Sequence, residues 1–224
     1  MDSRKRGIKL LVFDLDGTLI DSLQDITNAL NYTLIPLGYP SFEKEEVKKF
    51  VGRGITSLVE RILRPEDIDL KERVLKSFLQ YYSEHLTDHT RAYPDVEETL
   101  RALTGYKKAV VSNKREALTR KILKELNLSQ YFKYILGSDT LAEKKPSPLP
   151  IRYLIEKEHL SSDEVVMIGD SEIDIQTGKN AAVVCIAVGY GYRPLERLQD
   201  ADYVIRDSLR ELPELLRKIE DEKL

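Results

Sequence analysis

Six short apolar runs pace the chain: "IKLLVF", "KKAVVS", "KYILG", "EVVMIGD", "VCIAVG" and "DYVIRD". Each is too short for a buried helix, and none alternates apolar with polar residues as a half-exposed strand does. Such runs are strands covered on both faces. Most of the stretches between them carry apolar residues at helical spacing. They are "DVEETLRALTG" before the second run, "REALTRKILKELNL" between the second and third, and "LPIRYLIEKEHL" between the third and fourth. Strands alternating with helices of these lengths predict an α/β fold, a parallel sheet with helices on both faces. Gly105 marks the expected end of the first of these helices.

Residues 23–89 break the alternation. They hold no strand pattern but four helical stretches, around "LQDITNALNYTLIPLG", "EKEEVKKFVG", "ITSLVERIL" and "DLKERVLKSFLQYYSEHL". A helical bundle inserted after the first strand is the simplest account. Tyr93 and Pro94 mark the return of the chain. The expected division is a main domain of residues 1–20 and 91–224 and a helical domain of residues 21–90.

Composition narrows the function. With 42% hydrophobic residues the chain can build a core, and a net charge of -3 with the two signs interspersed leaves no nucleic-acid footprint. No apolar stretch approaches the roughly 20 residues of a membrane helix. The basic start "MDSRKRG" has no apolar region behind it before the first strand, so it reads as a solvated tail and not a signal peptide. The single cysteine, Cys185, excludes an internal disulfide and fits a reducing cytoplasm. Lying in "VVCIAV", it reads as a small core residue and not a nucleophile.

In an open parallel sheet, ligands bind outside the carboxyl ends of the strands. The residues found there are Asp14 and Asp16 after the first run, Ser112 and Asn113 after the second, and Asp170 after the fourth. Lys145 stands in the loop "EKKPSP". Carboxylates for a hard cation, a hydroxyl and amides for phosphate oxygens, and a fixed positive charge are what magnesium-dependent phosphoryl transfer needs. Simpler readings exist for each part. Asp-Gly between apolar residues also signals a hairpin, but the residues after Gly17 run into a helical pattern. An EF-hand loop needs glycine sixth and glutamate twelfth; counting from Asp14, Gly17 is fourth and Asp25 twelfth. Ser112 and Ser171 could be helix N-caps, and Asp174 could merely favour a helix N-terminus. The joint arrangement in chain order is what those readings leave unexplained.

"FDLDGTLIDS", "VVSNK", "KKPSPLP" and "MIGDSEID" resemble, in order and approximate spacing, the four motifs of the haloacid dehalogenase-like hydrolase superfamily. Within it the chain resembles the phosphoglycolate phosphatase group, which has a Rossmann-like core and a helical cap inserted after the first motif. Two departures stand out: Asp95 follows Pro94 where relatives usually carry glycine, and "KNAAVVCIAV" has Val183 where an Ala-Gly step is common. Both concern local backbone shape.

The resemblance implies a phosphatase. Asp14 would be the nucleophile, forming an aspartyl-phosphate, and Asp16 the general acid and base. Asp16 also distinguishes the chain from dehalogenase relatives, which lack that aspartate and magnesium. Mg²⁺ would be bound by Asp14 and Asp170 through side chains and by Asp16 through its carbonyl, with Asp174 as an indirect partner. Lys145, Ser112 and the amide of Asn113 would bind the transferring phosphoryl group. The i, i+2 spacing brings both early carboxylates to one side of a strand end; Gly17 permits the sharp turn there, and Thr18 orients the loop by hydrogen bonding. In "FVGRGIT", Arg53 between glycines is a candidate reader of the carboxylate of 2-phosphoglycolate. The expected substrate is that small-molecule ester. The alternatives are pyrophosphate, a sugar phosphate, a nucleotide, or a β-phosphoglucomutase-like phosphomutase reaction.

Overall fold

A strand covered on both faces must satisfy every backbone group within its sheet, and the apolar runs do so side by side. The computed structural model describes residues 7–222, so residues 1–6 of the basic start lie outside it. The strands are β1 (Leu10–Phe13), β2 (Ile20–Asp21), β3 (Arg91–Ala92), β4 (Lys107–Val111), β5 (Tyr134–Leu136), β6 (Val165–Gly169), β7 (Val184–Val188) and β8 (Tyr203–Ile205). Six of them form one sheet in the order β5-β4-β1-β6-β7-β8, with every neighbouring pair parallel. All six apolar runs are therefore strands. β1 lies inside the sheet, with Phe13 opposite Val110 of β4 and Ile168 of β6.

Successive residues of β1 feed opposite cores, as a pleated strand requires. Leu11 and Phe13 belong to the larger core, whereas Leu10 and Val12 pack with Ala109, Met167, Ile151 and Leu154 on the other face. The helices are α1 (Leu23–Leu34), α2 (Lys44–Lys48), α3 (Ile55–Ile62), α4 (Lys71–Glu84), α5 (Val96–Ala102), α6 (Glu116–Glu125), α7 (Leu149–Glu158), α8 (Glu172–Asn180) and α9 (Leu212–Glu222). Ile122 and Leu123 of α6 and Leu216 of α9 cover one face of the sheet, and Ile151 and Leu154 of α7 the other. The helix before β4 stops at Ala102 and not at Gly105, because the chain leaves helical geometry at Leu103.

α1 to α4 all lie between β2 and β3, where the sequence places an inserted bundle. β2 and β3 pair antiparallel, Ile20 with Ala92 and Asp21 with Arg91, so the chain enters and leaves the insert side by side. This short ribbon was not expected from sequence: two residues are too few to show a pattern. Buried Asp25, in the first turn of α1, clamps the return segment by accepting from the amides of His89 and Thr90 and from the Thr90 hydroxyl. No helix among the described residues is long and apolar enough to cross a membrane.

Candidate active site

The turn after β1 is shaped by one carbonyl. Leu15 O accepts from Thr18 N at 3.3 Å, Leu19 N at 2.9 Å and Ile20 N at 3.1 Å. That coil needs Gly17 at φ 87, where a side chain is strained, and a Cβ there would collide with the Asp170 carboxylate. Leu15 is wholly buried, and Asp14 and Asp16 on either side of it both line a single cleft. The Thr18 hydroxyl, expected to orient this loop, is buried with no hydrogen-bond partner among the described residues. Thr18 instead contributes backbone: its carbonyl accepts from the Tyr190 hydroxyl at 2.9 Å.

Beside this turn, Asp14, Asp170 and Asp174 bring one carboxylate oxygen each to within 4.8 Å of one another, all three buried. Lys145 Nζ reaches Asp14 Oδ1 at 2.7 Å and Asp174 Oδ1 at 2.6 Å, with 2% of its side chain exposed. Asp174 Oδ2 accepts from Ser171 N and Oγ, a capping box that starts α8. Asp170 Oδ2 accepts from Tyr192 N at 2.7 Å. Three carboxylates against one lysine leave negative charge in excess. Burial, then Asp174, push Asp14 from its ordinary 3.8 up to about 7 against the pull of Lys145. Burial, then Asp174 and Asp14, push Asp170 well above the same value. Burial works against the Lys145 charge, but Asp14 and Asp174 hold its pKa above the ordinary 10.5. An all-oxygen donor set with surplus negative charge fits a hard divalent cation.

Asp16 has different company. Its Oδ1 accepts from Ser22 Oγ at 2.5 Å and from Lys114 Nζ at 2.6 Å. Lys114 also donates to the Tyr82 hydroxyl of α4 at 2.8 Å. Burial opposes the Lys114 charge, and Asp16 and Tyr82 more than offset it, raising its pKa. Asp14, Asp16, Ser112, Asn113 and Lys114 thus line one cleft, whose remaining wall is apolar: Ile26, Val51, Ile55, Leu58, Phe78 and Leu79. Arg53 is exposed and is not part of that lining; its carbonyl accepts from Lys144 Nζ at 3.0 Å. Arg115 stands on the cleft wall beside Lys114.

Residues 11–188 match the family model of the haloacid dehalogenase-like hydrolases. The chain belongs to this family. It is 41% identical to the phosphoglycolate phosphatase of Chromobacterium violaceum over 95% of its own length and 98% of the relative's. It is 38% identical to the phosphoglycolate phosphatase of Neisseria meningitidis over 100% and 98%. The crystal structure of a predicted phosphoglycolate phosphatase from Haemophilus somnus superposes with a TM-score of 0.86 at 32% identity, covering 93% of this chain and 97% of that one. This haloacid dehalogenase-like hydrolase is a phosphatase-like enzyme of the phosphoglycolate phosphatase group.

The two departures from the family's pattern have backbone consequences. Asp95 takes the left-handed conformation that glycine favours, φ 66, and its carboxylate is held by Ser208 Oγ at 2.8 Å and Arg210 Nη2 at 2.5 Å. In the second, the left-handed residue is Ala182 at φ 57, one before Val183, so the position that calls for glycine carries alanine. Cys185 is buried, and burial, then Asp202, push its thiol up to about 12, as an inert core residue requires. Lys114, Tyr82, Ser22 and Arg193 were not singled out from sequence. Lys114 directly follows the "SN" at the end of β4, and Arg193 ends "GYGYR" after β7, so the strand-end rule applied to every strand finds both.

Proposed function

We propose that this chain hydrolyses 2-phosphoglycolate to glycolate and phosphate, with Asp14 as nucleophile and Asp16 as general acid and base. The observation that carries the reading is the meeting of Asp14, Asp170, Asp174 and Lys145 at one buried point beside a cleft walled by Ser112 and Asn113. The names of the relatives supply the ester.

A carboxylate oxygen of Asp14 attacks phosphorus in line. The new P–O bond forms as the ester P–O bond breaks, and the departing alkoxide takes the proton of Asp16. Water then attacks the aspartyl-phosphate at phosphorus and gives a proton to Asp16; the bond to Asp14 breaks and its carboxylate is restored. Lys145, already on Asp14, offsets charge on the transferring group, and the Ser112 hydroxyl and Asn113 amide donate to its oxygens. Asp174 acts through Lys145. The Asp14 and Asp170 side chains and the Asp16 carbonyl would hold Mg²⁺, whose charge would let a phosphate dianion approach two carboxylates.

Residues 21–90 act as a cap that closes over the cleft and excludes water. The substrate carboxylate is met by a cation at the rim: Arg53 is the candidate from sequence, and Arg115 is the one already on the wall. The apolar wall favours a second reading, a phosphatase of broader range that takes esters of less polar alcohols. A cytoplasmic setting suits the single buried thiol. The test is phosphate release from a panel of 2-phosphoglycolate, aryl and alkyl phosphates, sugar phosphates, nucleotides and pyrophosphate, with Mg²⁺ and with chelator. Phosphoglycolate leading the panel only with Mg²⁺ is the expected result. An aryl ester leading it selects the second reading, and turnover by Asp14→Asn would overturn both.

A further inference from the structure

The loop between α2 and α3 lines the cleft with Val51, Gly52 and Gly54, and side chains of the sheet domain grip it by its backbone. Three consecutive carbonyls each accept from a different segment. Val51 O takes Arg193 Nη2 at 2.5 Å, Gly52 O takes Asn113 Nδ2 at 2.9 Å, and Arg53 O takes Lys144 Nζ at 3.0 Å. Arg193 Nη1 also donates to Lys48 O, at the end of α2, at 2.7 Å. Successive carbonyls of an extended chain face opposite sides, so three that meet one surface need a turned backbone. Gly52 at φ 117 and Gly54 at φ 85 supply it. The approach is close: a Cβ on Gly54 would lie 2.8 Å from the Asn113 carbonyl.

Arg193 is the member of this set that holds two carbonyls. It is 9% exposed, and the nearest carboxylate to its Nε is Glu172 at 3.5 Å. The residue before it, Tyr192, donates its amide to Asp170 Oδ2 at 2.7 Å, and the Tyr192 hydroxyl accepts from Ser22 N, at the entry to the cap, at 2.9 Å. Tyr190 donates its hydroxyl to Thr18 O in the turn after the nucleophile. Three residues after β7, Tyr190, Tyr192 and Arg193, therefore touch a metal-side carboxylate, the nucleophile's turn, the cap linker and the cap loop.

We propose that Arg193 is a positioning residue: it holds the cap loop over the phosphoryl site and ties that closed position to the placement of Asp170. The kinetic consequence rests on the phosphatase reading above; the conformational one does not. Glutamine at this position loses the charge and the fork that spans two carbonyls, whereas lysine keeps the charge as a single point donor.

The test uses the full chain with Arg193→Gln, Arg193→Lys, Arg193→Ala and, at a less buried position, Lys144→Ala. For Arg193→Gln, kcat for phosphoglycolate is expected to fall by about thirtyfold. For acetyl phosphate, which meets the same Asp170 and the same cap loop, a fall of similar size is expected. Lysine restores part of the loss, and added guanidinium ion restores part of that of Arg193→Ala. Lys144→Ala, which leaves Arg193 in place and keeps the test readable if the other variants do not fold, shows the same pattern at about threefold. Hydrogen exchange without substrate is expected to quicken about tenfold at the amides of residues 49–54 in Arg193→Gln, with β1 and β6 unchanged. That arm reads the latch even if the substrate panel rejects phosphoglycolate. A loss confined to one phosphate donor, no rescue, or exchange that rises equally in loop and sheet overturns the proposal.

Discussion

Removing divalent metal should make the protein less stable as pH rises from about 4 to about 7, the reverse of ordinary acid denaturation. The cause is Asp14, whose pKa stands at about 7 in the folded chain against an ordinary 3.8. Between those values the folded carboxyl keeps its proton while the unfolded one has lost it, so the native state binds more protons. Stability is then fully present below about 4 and falls as pH climbs through 7. The gap between 3.8 and about 7 corresponds to about 4 kcal/mol. That is a large part of the roughly 5–15 kcal/mol that holds a typical domain together. Asp170, raised for the same reasons, adds to the fall in the same direction.

Other carboxylates act in a different window. Lys107, Lys133 and Tyr134 hold Glu158 at about 2 despite its burial, and Lys9 and Ser161 hold Glu164 at about 2. Depressed carboxylates lend stability above 4.5 and lose it as pH falls toward 2, so they do not mask the trend above 4.5. The assay is urea unfolding followed by circular dichroism at half-unit steps from pH 4.5 to 8, with chelator and with Mg²⁺, for the unaltered chain and Asp14→Asn. With a urea slope of about 2 kcal/mol per molar, the chelated protein loses about 2 M in midpoint. Mg²⁺ flattens the curve because it binds the deprotonated carboxylates. Asp14→Asn in chelator falls much less and is the more stable protein at pH 7. A chelated midpoint that stays level or rises across this range, or an identical slope in Asp14→Asn, would mean that the surplus charge drawn from the geometry is not there.

Lys145→Met leaves three buried carboxylates without their lysine; it should cost about 3–5 kcal/mol in metal-free urea unfolding, less with Mg²⁺, and abolish phosphate release. Arg53→Ala should raise KM for phosphoglycolate far more than for a neutral phosphate ester if Arg53 reads the carboxylate. The same selective rise in Arg115→Ala instead assigns the task to the cation on the cleft wall, and steady-state kinetics on both esters checks the two variants. Lys114→Met removes a charged donor from Asp16, about 2 kcal/mol, and should lower kcat about thirtyfold for every ester, while Tyr82→Phe stays within about fivefold.

Much of this structure could be read from sequence because its constraints are local. A parallel strand with helices on both faces has no solvent side, so its apolar run is continuous and visible even at three residues, as in Tyr134–Leu136. Asp14, Ser112, Asn113 and Asp170 were visible because polar residues directly after such runs are costly unless a ligand meets them. α9 went unread although Leu212, Leu216 and Ile219 recur at helical spacing, because it follows the last apolar run and no further strand frames it. The β2–β3 ribbon carries no periodic signal, since its pairing joins Ile20 to a residue far along the chain, Ala92.

The residues that sequence reasoning missed share a feature that those it found lack. Asp14 and Asp170 meet in one buried carboxylate cluster, which few residue types can form, so their identity alone carries information. Lys114 answers to Asp16 and Tyr82, and Arg193 to the carbonyls of Lys48 in α2 and Val51 in the loop after it. Any long donor could meet those partners, and the partners become neighbours only when the cap lies on the sheet domain. Arg53 is the converse case: glycines stand on both sides of it, Gly52 and Gly54 serve the carbonyls, and the residue itself is exposed. A glycine pair around a charged residue is thus a statement about backbone reach first. Here side chains from outside the loop grip the peptide, and kinetics of Arg53→Ala decide whether the side chain between the glycines also reads substrate.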